Sequence, residues 1–283
     1  MKAIENYKQE LEQRLAQAGL ENSDLSLDLR GCCTAGELLS LLKQRMTQWV
    51  LDFQVTGSEL EEVFSQTRLK ELGIFTGDQK VTVEEAYSFY AFDRASVIQK
   101  GDYCVGHFYE HATGEVLDGK ARFYHQTSGT AYNGSMLFAH QDANVVAHDQ
   151  SQLTLMDRAK GTLYAQSSGI ASGQSTLTCH DNSFGFLTGH SSGHFLHSSM
   201  GQCEGNSRFI ARHAADVEAY GHSSGCAQEK ATISLAEKAE LSVSPDFEGI
   251  IQQSNRTPIA RLSQQELSEL MDTNLQRPKH LGR

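Results

Sequence analysis

Residues 160–183 read KGTLYAQS, SGIASGQS, TLTCHDNS, three consecutive octets from an unbroken series that runs from Lys120 to Phe247. Sixteen octets fit between those ends without an insertion. The fourth place is apolar in every one, from Phe123 and Ala131 through Leu187, Phe195 and Cys203 to Leu235 and Val243. The second place is Gly, Ala, Val, Leu, Ile or Phe throughout. The eighth is Ser or Ala except at Thr127 and Phe247. Places eight, two and four are two residues apart, which is strand alternation, so they share one inward face. Places one, three and five then meet solvent. Places six and seven are rich in Gly, Asn, Asp, Gln and His, which is turn chemistry. Each octet predicts a short strand and a corner, and the fixed period predicts a mainly β fold, a single-stranded β-helix or solenoid. Upstream, Val105 to Ala112 fits the template, and residues 113–119 fit with one residue missing. Downstream, Gly249 and Ile251 read as continuing the second and fourth places.

The corners suggest the size of one coil. Gly173, Gly189, Gly205 and Gly221 recur at place six of every second octet, and the intervening corners carry Asp181, His197, His213 and Glu229. Unlike neighbours that alternate favour two octets per coil. A three-sided coil of three octets is the rival, with Cys179 to Cys203 and Asn182 to Asn206 in its favour.

The flanks follow a helical rule. Ile4, Tyr7, Leu11 and Leu15 recur at three- and four-residue steps, with Gly19 as a stop. Thr34 and Glu37 form a capping-box pattern ahead of an apolar run from Leu38 to Phe53, and Ser58 and Glu61 form a second. Thr82 to Glu85 reads as the start of a third short helix through Tyr87 and Tyr90. Ser263 and Glu266 predict a C-terminal helix carrying Leu267, Leu270 and Met271. The expected organisation is a helical module over 1–103, a solenoid over 104–250, and a capping helix with a basic tail over 251–283. Solenoid ends expose strand edges, so the flanking helices are expected to cover them.

Composition narrows the function. The chain has 283 residues and a formal net charge of −11. Residues 1–119 hold 20 acids and 11 bases, which concentrates the negative field there. A net acidic surface gains nothing from nucleic acid or an anionic membrane. No apolar stretch reaches the length of a membrane span. The six cysteines include no CxxC pair, and the first residues lack an apolar leader, so reduced thiols and a cytoplasmic location are expected.

The repeat, typified by Asp216-Val217-Glu218-Ala219-Tyr220-Gly221-His222-Ser223, resembles the octapeptide β-solenoid repeats of bacterial and phage-associated proteins. The resemblance covers roughly half of the chain and rests on the period. It implies a solenoid fold and a bacterial or phage setting, and it brings no catalytic residues. Gly in place of Val at the second place departs from the cleanest repeats.

Two sets of surface residues stand out. With two octets per coil, Asp181, His197, His213 and Glu229 form an outward ladder, a candidate for His–carboxylate pairing or a metal site. A solvated turn edge explains the same residues without a ligand. Four ligands rising in a line do not make a tetrahedron, so no metal or cofactor is assigned. A second zinc possibility joins Cys32 and Cys33 to distant histidines. Tyr132, His140, His148, Tyr164, His180 and Tyr220 share the outward fifth place, where an aromatic and imidazole surface would meet a protein or stack on a sugar. Strand propensity alone also accounts for them. No insertion builds a catalytic cleft. The sequence points to a non-enzymatic scaffold or interaction protein, with self-association or a protein partner. The alternative is a carbohydrate-binding or carbohydrate-processing β-helix.

Overall fold

Eight-residue alternation resolves into four-residue strands joined by tight turns, and the chain is a parallel β-solenoid of about 11 turns with N-terminal helices and a short C-terminal helix. The computed structural model describes residues 4–85, 88–254 and 258–275. Chain contacts divide it into two units, Met1–Gly129 and Thr130–Arg283.

Unit 2 holds the regular coils. Strand Gln152–Leu155 pairs in parallel with Met136–Ala139 before it and Ser168–Ala171 after it, so that Gln152 faces Met136 on one side and Ser168 on the other. The intervening octets do the same, as Asn144 pairs with Lys160 and Lys160 with Thr176. Each strand thus pairs with the next octet but one. Two octets therefore make one coil, and the three-octet alternative is excluded. Counting octets from Lys120, the odd ones form one sheet and the even ones the other. Places two and four are buried along both, as at Leu177, Cys179, Leu187 and Phe195. The inward serines at place eight are buried too; Ser135, Ser167 and Ser191 return their hydroxyls to the carbonyl three residues back at 2.7–2.8 Å.

Glycine at the second place has a steric cause. A Cβ on Gly201 would lie 2.4 Å from the Phe195 ring, and one on Gly225 would lie 2.3 Å from that of Phe209. Large rings on neighbouring strands take the volume that a valine would occupy elsewhere.

The register changes in the corner after Ser244, where the Glu248 N–H donates to the Glu229 carbonyl two residues late. Thr232 pairs with Ile250 and Leu235 with Gln253, a step longer than two octets. Ile251 thus stands at the second place, over Ile233, not at the fourth as the sequence suggested. Arg261 stands over Val243. The final coil sets Gln253 and Arg261 where earlier coils set apolar side chains, which suits an end that meets water.

The C-terminal helix forms as expected: Ser263 Oγ accepts the Glu266 N–H and Glu266 Oε2 accepts the Ser263 N–H. Its position is different. Met271 Sδ meets Arg212 Nη2 at 3.1 Å and Gln228 Nε2 at 3.6 Å, on the flank of the coils. The expected basic tail lies outside the described residues.

Unit 1 joins six helices, α1 Ile4–Gln17, α2 Asp24–Gly31, α3 Ala35–Gln44, α4 Met46–Phe53, α5 Gly57–Val63 and α6 Gln66–Glu71, to the first coils. The Thr34 capping box is present. The apolar run behind it is two helices that break at Arg45, and α5 is capped by Thr56 instead of Ser58. Strand pairing begins at Ile74 with Tyr90, well before the boundary expected at 104. Lys80–Val83 is a strand paired with Ser96–Gln99, not the start of a helix, and Phe89–Ala91 is a strand as well; Tyr87 lies outside the described residues.

The early coils are irregular. Ser96 pairs with Thr113, a step longer than two octets, and Val105 pairs with Lys120, a step shorter than two octets. Buried Gln99 serves this irregularity: its Nε2 donates to the carbonyls of Cys104, Asp118 and Lys120 at 3.1, 2.9 and 3.2 Å. The helical core continues onto Tyr90, Phe92, Tyr109 and Tyr124, so the helices cover one corner of several coils.

Candidate functional site

The corner turn determines what the surface of unit 2 can present. In each turn the place-eight N–H donates to the place-five carbonyl, as Ser151 does to His148 at 3.0 Å and Ser183 to His180 at 3.1 Å. Place six takes a positive φ at every corner from Asn133 to Glu237, including His197 at 58° and Glu229 at 55°. Its carbonyl accepts the place-seven N–H of the next coil, as Asp157 does from Gln174 at 2.7 Å. At six corners its own N–H also donates to the place-six side chain of the next coil. Asp157 Oδ2 accepts from Gln141 at 3.0 Å, and Glu237 Oε2 accepts from Gly221 at 2.9 Å.

The proposed ladder is part of this system. Asp181 Oδ2 accepts the Ala165 N–H at 3.3 Å, His213 Nδ1 that of His197 at 3.3 Å, and Glu229 Oε2 that of His213 at 3.1 Å. His197 Nδ1 lies 3.8 Å from Asp181 Oδ1. Because His213 Nδ1 accepts, its proton sits on Nε2, 3.9 Å from Glu229 Oε2. The residues are brought together in line, and one acceptor atom each of Asp181, His213 and Glu229 is engaged by a corner amide. Among the described residues no three His, Cys, Asp or Glu side chains converge as a metal site would require. Cys32 Sγ faces the Asp28 carbonyl at 3.4 Å, and burial, followed by the Glu37 charge, raises its pKa away from the thiolate that zinc needs.

Beside the ladder runs a file of rings. Tyr132, His148, Tyr164 and His180 stack at centroid distances of 5.1, 5.0 and 4.7 Å with planes within 14°. Leu196 then replaces the ring at place five, and the file steps onto the ladder: His180 to His197 is 5.5 Å and tilted, His197 to His213 is 5.0 Å. Six rings form one edge. Their faces are turned to one another, so ring edges, tyrosine hydroxyls and the imidazole nitrogens that no corner amide engages are what the file presents to a partner. Burial, then the neighbouring His197, lowers the His180 pKa, while Asp181 opposes the shift.

His140 and Tyr220 do not join them. They occupy odd octets and lie on the opposite corner, where Tyr220 donates to Glu218 Oε2 at 2.8 Å. The parity of the octets carries this division, and a reading of place five alone misses it.

In unit 1 a shallow pocket of about 360 Å³ is lined by Gln44, Arg45, Met46, Thr47, Gln48 and Tyr90. No carboxylate lines it. Nearby, Thr47 Oγ1 and the Tyr109 hydroxyl are 2.8 Å apart, and burial, then Arg122, lowers the stacked His107 to a pKa of about 4. No described helix is long and apolar enough to cross a membrane. No family model, curated protein or solved structure matches the chain.

Proposed function

We propose that the protein is a non-enzymatic scaffold, in a bacterial or phage setting, whose solenoid surface meets a protein partner or a second copy. One observation carries this reading: from Met136 to Val243 every coil keeps its two-octet register and every corner is tight. Among the described residues no loop interrupts these coils to wall a cleft, and the ribbed odd-sheet face stays open beside an even sheet partly covered by the C-terminal helix, which suits a broad macromolecular contact. The carbohydrate alternative is weakened by the ring file, whose stacking faces are already occupied.

Photo-cross-linking from single positions on the two faces, in cells of the native host, tests the reading. Discrete protein adducts are expected from one face, with no retention on a glycan array. Glycan retention that disappears in Tyr164→Ala would overturn it.

A further inference from the structure

Unit 2 carries outward-facing apolar residues on both sheets, and among the described residues the C-terminal helix covers one group. On the even sheet, Ile210 and Cys226 face outward yet are buried, beside the Arg212 and Gln228 that meet Met271. On the odd sheet, five neighbouring strands from Met136–Ala139 to Met200–Cys203 set ten side chains outward at places one and three, and none is charged. Ile170, Phe184 and Met200 are 47%, 39% and 50% exposed. Register aligns Ser168, Phe184 and Met200 in one row, and Thr154, Ile170 and Phe186 in the next. The following strand brings the first charges, Asp216 and Glu218.

We propose that this face docks against the same face of a second copy, with the two solenoid axes antiparallel. The proposal rests on the scaffold reading and names its partner. The first reason is periodicity. Rungs about 4.8 Å apart give the face a fixed ridge spacing, and a second copy supplies the same spacing along its whole length. The second is charge. With the strand Phe184–Leu187 central, antiparallel docking lays Asp216 and Glu218 over Gln152 and Thr154 of the second copy. Parallel docking would gather four carboxylates in one layer, a repulsive arrangement. The third is size. Seven odd strands, from Met136–Ala139 to Thr232–Leu235, at ~4.8 Å and four residues at ~3.3 Å give roughly 450 Å² per copy, about half of a standard interface. Association is therefore weak and reversible, with a Kd on the order of 10–100 μM.

Sedimentation velocity of the full chain over roughly 5–500 μM brackets that range. A monomer–dimer equilibrium is expected. Ile170→Glu combined with Phe184→Glu should weaken it at least about tenfold, because two charges would be buried against an apolar face. Gln152→Lys should tighten it, since the new ammonium meets Asp216 of the second copy. Thr178→Glu, on the even sheet, should change nothing. Circular dichroism checks that each variant is folded, and Gln152→Lys carries the test if the double variant is not. A parent protein that stays monomeric at the highest concentration overturns the proposal, as does a dimer that survives the double variant. A dimer weakened by Gln152→Lys overturns the antiparallel arrangement. Loss of the dimer with persisting host adducts leaves the scaffold reading standing; loss of both removes both.

Discussion

Glu110 follows Asp93 by one coil on the same corner, and its Oε2 accepts the Asp93 N–H at 2.7 Å while its Oε1 accepts that of Gly57 at 3.2 Å. One carboxyl group thus ties the start of α5 to the first coils. Asp93 is itself engaged, accepting the Gly77 N–H at 3.0 Å, and His125 Nδ1 accepts the Glu110 N–H at 3.2 Å. Burial, the Asp93 charge and the hydrogen bond between the two side chains raise the Glu110 pKa to about 7, against the two amides that lower it.

The raised value gives a stability slope in unit 1. Folded Glu110 keeps its proton up to about pH 7, whereas in the unfolded chain it is lost near 4.5. The folded state binds the extra proton between those values, so stability falls as pH rises through that window. Glu110→Gln removes the titrating proton but sets an NH2 group against one of the two amides that the carboxyl oxygens receive. Its melting temperature should fall below the parent's at pH 4.5, and the parent's decline between pH 4.5 and 7 should be absent from the variant. Equal slopes in parent and variant would show that Glu110 does not titrate as described.

Glu229 tests whether the His–carboxylate ladder is a set of hydrogen-bond acceptors or a set of ligands. Its Oε2 receives the His213 N–H, and a glutamine oxygen serves equally well. Glu229→Ala should cost about 0.5–1 kcal/mol in urea unfolding, the usual worth of one such bond, and Glu229→Gln much less. Zinc should leave the melting temperature of all three proteins unchanged. A zinc-dependent rise in the parent that is absent in His197→Ala/His213→Ala would identify a metal site instead.

Gly201 and Phe195 test the packing rule. Gly201→Val places its Cβ where the ring already stands, so a loss of about 3 kcal/mol or more is expected from overpacking. Phe195→Ala alone should cost about 3–5 kcal/mol through its cavity. The double variant should lose less than the sum, because the valine fills part of the vacated space. Additive losses would place the clash elsewhere.

The inward places were legible because place four is apolar in every octet, from Phe123 and Ala131 through Leu187 and Cys203 to Val243, and the paired corners indicated the coil size. The start of the solenoid was hidden by length variation. The long step at Ser96 and the short step at Val105 break the period. Gln99 puts a polar residue at an inward place because it must satisfy three carbonyls. Thr82 and Glu85 imitate a capping box, but the β-branched run Val81, Thr82 and Val83 suits a strand, and the strand pairing prevails. Tyr132 and His140 share a place in the octet, yet chain direction puts them on opposite corners. The flank position of Met271 had no sequence signal, since an amphipathic helix does not declare which surface it covers.

His180 supplies a slope of the opposite sign in unit 2. Burial within the ring file holds its pKa below the ordinary imidazole value, so the unfolded chain takes up its proton first as pH falls. The stabilisation is present above about pH 6.5 and is lost as pH drops through the folded value. Tyr164 stacks on His180 at 4.7 Å, and Tyr164→Ala should return the His180 titration toward the ordinary value while weakening the acid-side slope. Histidine proton resonances followed from pH 8 to 5 measure both effects. A titration unchanged by the substitution would mean that the stack does not set the burial of this imidazole, and that the neighbouring His197 charge governs it.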